Sequence, residues 1–168
     1  SKPMSSDQDG PAGISGELIM SDVDCMGYPN QELLAATWNK DLALEFGKCI
    51  GEDGLSVNVQ CWYAPGAGTH RTPLGGRNFE YYSEDPYAAS EIATAHIEGV
   101  QSQNVGTSIK HFCLNNQETR RMSISAEVDE RTMHEIYLSA FEGAVKNAKP
   151  WTVMCSYNRI NGVFGSEN

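Results

Sequence analysis

Four places in this sequence hold residue types that could do chemistry. Arg71 and Arg77 lie in a long stretch rich in Gly and Pro. Lys110 and His111 follow an apolar run, and Met154-Cys155-Ser156-Tyr157-Asn158 closes another. Asp9 belongs to an early Asp9-Gly10-Pro11 segment. Asp-Gly-Pro is a common turn sequence, so Asp9 alone reads first as a turn residue. Lys110 and His111 are either an ordinary strand exit or a pair of donors to a ligand. Thiol catalysis requires a nucleophile, a base and an orienting group. Cys113 lies two residues after His111, on the same face of a strand, but a buried structural thiol is the favoured reading. Metal binding is weaker still. His70, His96, His111 and His134 are far apart, Glu130 and His134 lack further ligands nearby, and no HExxH, P-loop or GxGxxG motif occurs.

These residues must be positioned by elements that the hydrophobic pattern outlines. From Asn30, a plausible N-cap after Pro29, one helix is expected. Leu34, Trp38, Leu42, Phe46 and Ile50 form its apolar stripe, and Gly51 and Gly54 terminate it. Val57, Val59 and Cys61 alternate as a short strand ending near Tyr63. The connection from Ala64 to about Asp85 is long enough to suggest a functional loop. A second helix begins at Pro86 with Asp85 as cap and places Ala89, Ile92, Ala93, His96 and Val100 on one side. A strand spans about Gly106 to Cys113. The third helix, about Asp129 to Asn147, carries Met133, Ile136, Tyr137, Ala140, Phe141, Ala144 and Val145 at helical spacing. After Pro150, Trp151 to Tyr157 suits a strand buried on both faces. Trp38 and Phe141 are expected to pack between helix and sheet. Strands alternating with helices predict right-handed crossovers and a parallel sheet, with chemistry gathered at the C-terminal strand ends.

Composition narrows the function classes. The 168 residues are 40% apolar and 20% charged, enough for one domain with a packed core. The net charge of −10, from 22 acidic against 12 basic residues, disfavours binding to nucleic acid or to anionic membranes. No apolar run reaches the ~18–20 residues that span a bilayer. The five cysteines (Cys25, Cys49, Cys61, Cys113, Cys155) are odd in number and contain no CxxC pair. They predict reduced thiols and a cytoplasmic location over a disulfide framework.

Several ordered blocks resemble glycoside hydrolase family 3, most closely its β-glucosidase branch. They are the Asp9-Gly10-Pro11 turn, Leu34-Ala-Ala-Thr-Trp-Asn-Lys40, and His70-Arg-Thr-Pro-Leu-Gly-Gly-Arg-Asn-Phe-Glu-Tyr-Tyr-Ser-Glu-Asp-Pro86. Further blocks are Gly99-Val-Gln-Ser-Gln103, Ile109-Lys-His-Phe112 with Asn115-Asn-Gln-Glu118, and Val153-Met-Cys-Ser-Tyr-Asn-Arg-Ile-Asn-Gly162. The resemblance implies part of a (β/α)8 barrel of the TIM type and a retaining hydrolase of terminal β-D-glucosides. It implies that Asp9 accepts hydrogen bonds from hydroxyls of the sugar at the cleavage subsite. Arg77, Lys110 and His111 would donate to the same ring, and Met154 and Tyr157 would line the pocket. A ring of charged donors and acceptors suits a neutral polyol, because charge-assisted hydrogen bonds are the strong ones. Family members that cleave N-acetylglucosaminides continue after Lys-His-Phe with Pro-Gly-His-Gly. Here Cys113-Leu-Asn-Asn-Gln-Glu118 follows, which favours the glucosidase or xylosidase type.

Retaining hydrolysis needs a nucleophile and an acid/base about 5–5.5 Å apart. In the family the nucleophile is the Asp of a Ser-Asp-Trp motif after the Ser-Tyr-Asn block, and the acid/base comes later still. No catalytic residue is therefore expected within these 168 residues, which are read as one partial N-terminal domain ending before the nucleophile strand. Ser21-Asp22-Val23 imitates the motif in the wrong place, and Asp22 is read as a decoy. No cofactor and no metal are expected. The expected partners are a β-glucoside or related oligosaccharide, together with the remainder of the enzyme. Two alternatives stay open: a sugar-binding domain without catalysis, and a homodimer joined through open sheet edges.

Overall fold

The computed structural model describes residues 6–15 and 24–168. Asp22 lies outside the described residues. Four short strands, β1 (Asp7–Asp9), β2 (Cys61–Tyr63), β3 (Gly106–Phe112) and β5 (Thr152–Cys155), lie side by side in chain order and all parallel. Parallel neighbours need crossovers. These are α1 (Gln31–Ala36) with α2 (Lys40–Ser56), then α3 (Pro86–Ser102), then a helical run of α4 (Glu130–Thr132), a π-helical segment Met133–Leu138, and α5 (Ser139–Ala148). Successive β/α units in sequence order make a partial (β/α)8 barrel, as expected. A second small sheet joins β4 (Ser125–Ala126) in parallel to β6 (Arg159–Ile160), which forms a hairpin with β7 (Val163–Phe164). Its turn is Asn161-Gly162, both at positive φ, as a two-residue hairpin of the I′ kind demands.

The single helix expected from Asn30 is two helices. Asn30 does cap the first, accepting from the Leu33 N–H at 2.9 Å. Asn39 then caps the second, accepting from the Leu42 N–H at 3.0 Å. Between them Trp38 adopts a φ of 54° and is 77% exposed, so it is not a packing residue. The new cap resets the helical phase. The buried face of α2 becomes Ala43, Gly47, Ile50, Gly51 and Gly54, while Leu42 is exposed. Gly51 and Gly54 thus belong to the helix interior, and α2 runs on to Ser56. Gly47 and Gly51 pack closely against α3 and the residue that caps it: a Cβ on Gly47 would stand 2.3 Å from the His96 carbonyl oxygen, and one on Gly51 2.9 Å from the Val100 carbonyl oxygen and 2.8 Å from the Gln103 Cβ. Here tertiary contact overrides glycine's poor helix propensity.

Helix α3 matches expectation, with Asp85 capping Tyr87 and Ala88 and with Ala89, Ile92, Ala93, His96 and Val100 all buried. The third helical run also lies where expected, and Phe141 is buried with Ala140 and Ala144. Its π segment coincides with a hydrogen bond from Thr69 Oγ1 to the Ile136 carbonyl. Strand β2 is shorter than predicted, because Val57 caps α2 and Asn58 turns at a φ of 58°.

The largest departure is β5. The pattern predicts burial on both faces, but β5 is one of the two edge strands of the described sheet, with Thr152, Val153 and Cys155 exposed. A trough of about 650 Å³ runs along it, lined by Phe112, Leu138, Phe141, Val145 and Val153. No helix among the described residues is long and apolar enough to cross a membrane.

Candidate functional site

Each strand delivers its last residues to one rim. Asp9 ends β1, and Lys110 and His111 stand near the end of β3. The register explains how two consecutive residues of β3 reach the site. Ile109 pairs with Val153 and Phe112 with Cys155, so Lys110 and His111 together face the single residue Met154. Such a bulge re-aims side chains that plain alternation would send to opposite faces.

Lys110 is 1% exposed, and a buried ammonium requires partners. Its Nζ donates to Asp9 Oδ1 at 2.8 Å and lies 3.4 Å from Glu80 Oε2. Glu80 is equally buried, and its other oxygen accepts from Arg77 Nε. Asp9, Lys110, Glu80 and Arg77 thus form one alternating chain of charges. Asp9 is its open end, with 66% of its side chain exposed. An ammonium has three donors and a guanidinium five, so Lys110 and Arg77 both keep N–H groups beyond these contacts. Gly76, at a φ of +64°, lets the loop approach Glu118, whose Cγ would lie 2.8 Å from an added Cβ. That approach sets the backbone immediately before Arg77.

His111 is buried, and its Nδ1 lies 3.1 Å from the Tyr81 hydroxyl. The same hydroxyl lies 3.3 Å from the Asn115 carbonyl oxygen. One phenolic hydrogen serves one of them at a time. When it serves Nδ1, the imidazole carries its proton on Nε2 and can donate outward. Burial, followed by the positive charges of Arg77, Lys110 and Arg121, pushes the His111 pKa down to about 3. It is therefore a neutral donor or acceptor near pH 7, not a cation.

Tyr157 lies just beyond β5 with its ring under the Arg121 guanidinium, 4.9 Å from centroid to Cζ. Arg121 Nη1 in turn donates to Glu118 at 2.8 Å, and Asn115 Nδ2 donates to the other Glu118 oxygen at 3.2 Å. The structure therefore brings Asp9, Arg77 and Lys110 into one network. His111 is held beside it by Tyr81, Met154 stands in register with Lys110 and His111, and Tyr157 lies at the margin.

Sequence reasoning assigned no role to Glu80 and Tyr81, which hold Lys110 and His111 respectively. The spacing Arg77-x-x-Glu80 was the available signal, since a short helical turn brings i and i+3 together. That turn is the 3₁₀ segment Asn78–Glu80. Arg71 does not join the network and instead stacks on the Tyr137 ring at 5.8 Å. The Cys113 thiol is pushed up to about 11 by burial and then by Cys155, so it is not an activated nucleophile. Among the described residues, no three His, Cys, Asp or Glu side chains cluster to hold a metal.

Comparison with known proteins bears on the chain as a whole. The family model described as "Glycosyl hydrolase family 3 N terminal domain" matches residues 18–167. The thermostable beta-glucosidase B of Acetivibrio thermocellus is 48% identical over 167 residues, covering 95% of this chain and 22% of that protein. The exo-alpha-(1->6)-L-arabinopyranosidase of Bifidobacterium longum is 46% identical over 168 residues, with the same coverage. Among solved structures, beta-glucosidase 3B from Thermotoga neapolitana in complex with glucose superposes with a TM-score of 0.90 at 48% identity. It covers 95% of this chain and 23% of that one. The chain spans about a fifth of the length of the curated relatives it matches.

Proposed function

The chain belongs to the glycosyl hydrolase family 3 N-terminal domain family, and from that membership we propose that it supplies the sugar-binding rim of a retaining glycoside hydrolase. The substrate class is terminal β-D-glucosides, and the chain works as part of a longer polypeptide. The observation that carries this reading is the buried Lys110 held between Asp9 and Glu80 at the strand ends. Such a cation, committed to two carboxylates yet keeping a donor, suits a neutral polyol better than an anionic substrate. Asp9 accepts from sugar hydroxyls at the cleavage subsite, while Arg77, Lys110 and His111 donate to them. Met154 and Tyr157 line the pocket. His111 performs this role as neutral imidazole, in the tautomer whose Nδ1 accepts from the Tyr81 hydroxyl. The nucleophile and the acid/base lie outside these 168 residues, and Asp22 is not the nucleophile.

The test is hydrolysis of aryl glycosides by the longest polypeptide carrying this chain. Glucosides are compared with arabinopyranosides and xylosides, since one relative above is named for arabinopyranoside cleavage. Turnover of the β-glucoside, with product anomeric configuration retained, is expected, as is no turnover by residues 1–168 alone. Turnover by residues 1–168 that disappears in Asp22→Asn would overturn the assignment of the nucleophile. Glucose binding without any hydrolysis by the long polypeptide would favour the non-catalytic alternative instead.

A further inference from the structure

Gln31 opens α1 on the helical layer, outside the charge network, and is wholly buried. A buried primary amide must satisfy both ends, and Gln31 spends both on one residue. Its Nε2 donates to the Gly66 carbonyl at 3.1 Å, and its Oε1 accepts from the Gly66 N–H at 3.1 Å. Gly66 is bridged in parallel to Lys110. The Lys110 N–H donates to the Pro65 carbonyl at 2.9 Å, and the Ala67 N–H donates to the Lys110 carbonyl at 2.7 Å. The flanks of Gly66 thus hold both backbone groups of Lys110. Gly66's own N–H and carbonyl belong to Gln31, which takes the place a further strand would occupy. Gly66 also abuts the other half of the site: an added Cβ would lie 2.3 Å from the Glu80 carbonyl oxygen and 2.8 Å from the Tyr81 ring.

We propose that Gln31 is a positioning residue for the sugar site, clamping Gly66 so that Lys110, Glu80 and Tyr81 keep one mutual geometry. This rests on the sugar-binding reading of Lys110 given above. Gln31 touches no substrate and acts only through the backbone it holds.

The experiment uses the longest polypeptide carrying this chain, with an aryl β-glucoside as substrate. Gln31→Met keeps the volume and removes both hydrogen bonds. Its expected effect is a roughly 10–100-fold fall in kcat/KM, the scale of a misplaced binding group. In a Lys110→Met background the same change costs less than about twofold, because coupled residues are non-additive. Gln31→Glu adds a second readout: a protonated carboxyl donates and accepts as the amide does. Activity relative to wild type therefore recovers as pH falls, and this variant also stands in if Gln31→Met does not fold. Hydrogen exchange at the Lys110 and Ala67 amides reads the clamp without activity and accelerates in Gln31→Met.

Equal losses in both backgrounds, or unchanged exchange at those two amides, overturn the proposal. An inactive wild type refutes the sugar-hydrolase reading, and the exchange measurement still decides the clamp. An active wild type with an unaffected Gln31→Met refutes the clamp alone.

Discussion

Two imidazoles buried in neutral form make this fold sensitive to mild acid. His96 is wholly enclosed, ringed by Phe46 at 5.4 Å and Trp62 at 5.1 Å, with Nδ1 2.7 Å from the Tyr82 hydroxyl. Its Nε2 has no hydrogen-bond partner among the described residues. Burial pushes its pKa from 6.5 down to about 3, and His111 falls to about 3 as well. The unfolded chain binds these protons below pH 6.5 while the native state refuses them. Stability is therefore full above that value and declines as pH falls toward the folded pKa. Between pH 7 and pH 5 each histidine removes about 2 kcal/mol, and the pair about 4, by proton linkage. That is a large part of the ~5–15 kcal/mol of a typical domain. Few carboxylates titrate in this interval, so the histidines dominate it. The assay is equilibrium urea unfolding at both pH values for wild type and for His96→Leu. The variant loses some stability at pH 7, because Tyr82 is left unpaired, but only about half of the wild-type pH dependence remains. Wild-type stability that is flat between pH 7 and 5, or an undiminished slope in His96→Leu, would refute the reasoning.

Glu80→Ala leaves Lys110 with one exposed partner and Arg77 without its carboxylate, so chemical denaturation should show a loss of about 3–5 kcal/mol; a loss below ~1 kcal/mol would show that water already screens the network. Phe141→Ala should cost ~3–5 kcal/mol through the cavity it opens. Trp38→Ala, at a largely exposed position, should stay within about 0.5 kcal/mol in the same unfolding measurement.

Legibility followed the range of the interaction that decided each feature. Asn30 and Asp85 were readable as caps because a cap is settled within three residues. Lys110 and His111 were readable as a strand-end pair because two basic residues side by side stand out at the end of a short strand in a chain of net charge −10. Helix α2 was misjudged in phase, since the four-residue stripe continued through Trp38 while a second capping residue, Asn39, restarted the helix. Gly51 reads locally as a helix stop, and only the approach of Val100 and Gln103 gives it a reason to be interior.

The amino-acid sequence alone determined the alternation of strands and helices, the family, and the set of charged residues at the strand ends. Each of these is written in local order or in contiguous motifs. Only the tertiary structure decided that Lys110 shares its charge with Asp9 and Glu80, that β5 is an edge strand of the described sheet, and that Gln31 holds Gly66. The physical reason is that a buried ion pair or amide is satisfied by whatever partner the packing delivers. Asp9 and Lys110 lie 101 positions apart, and nothing in local periodicity encodes that meeting.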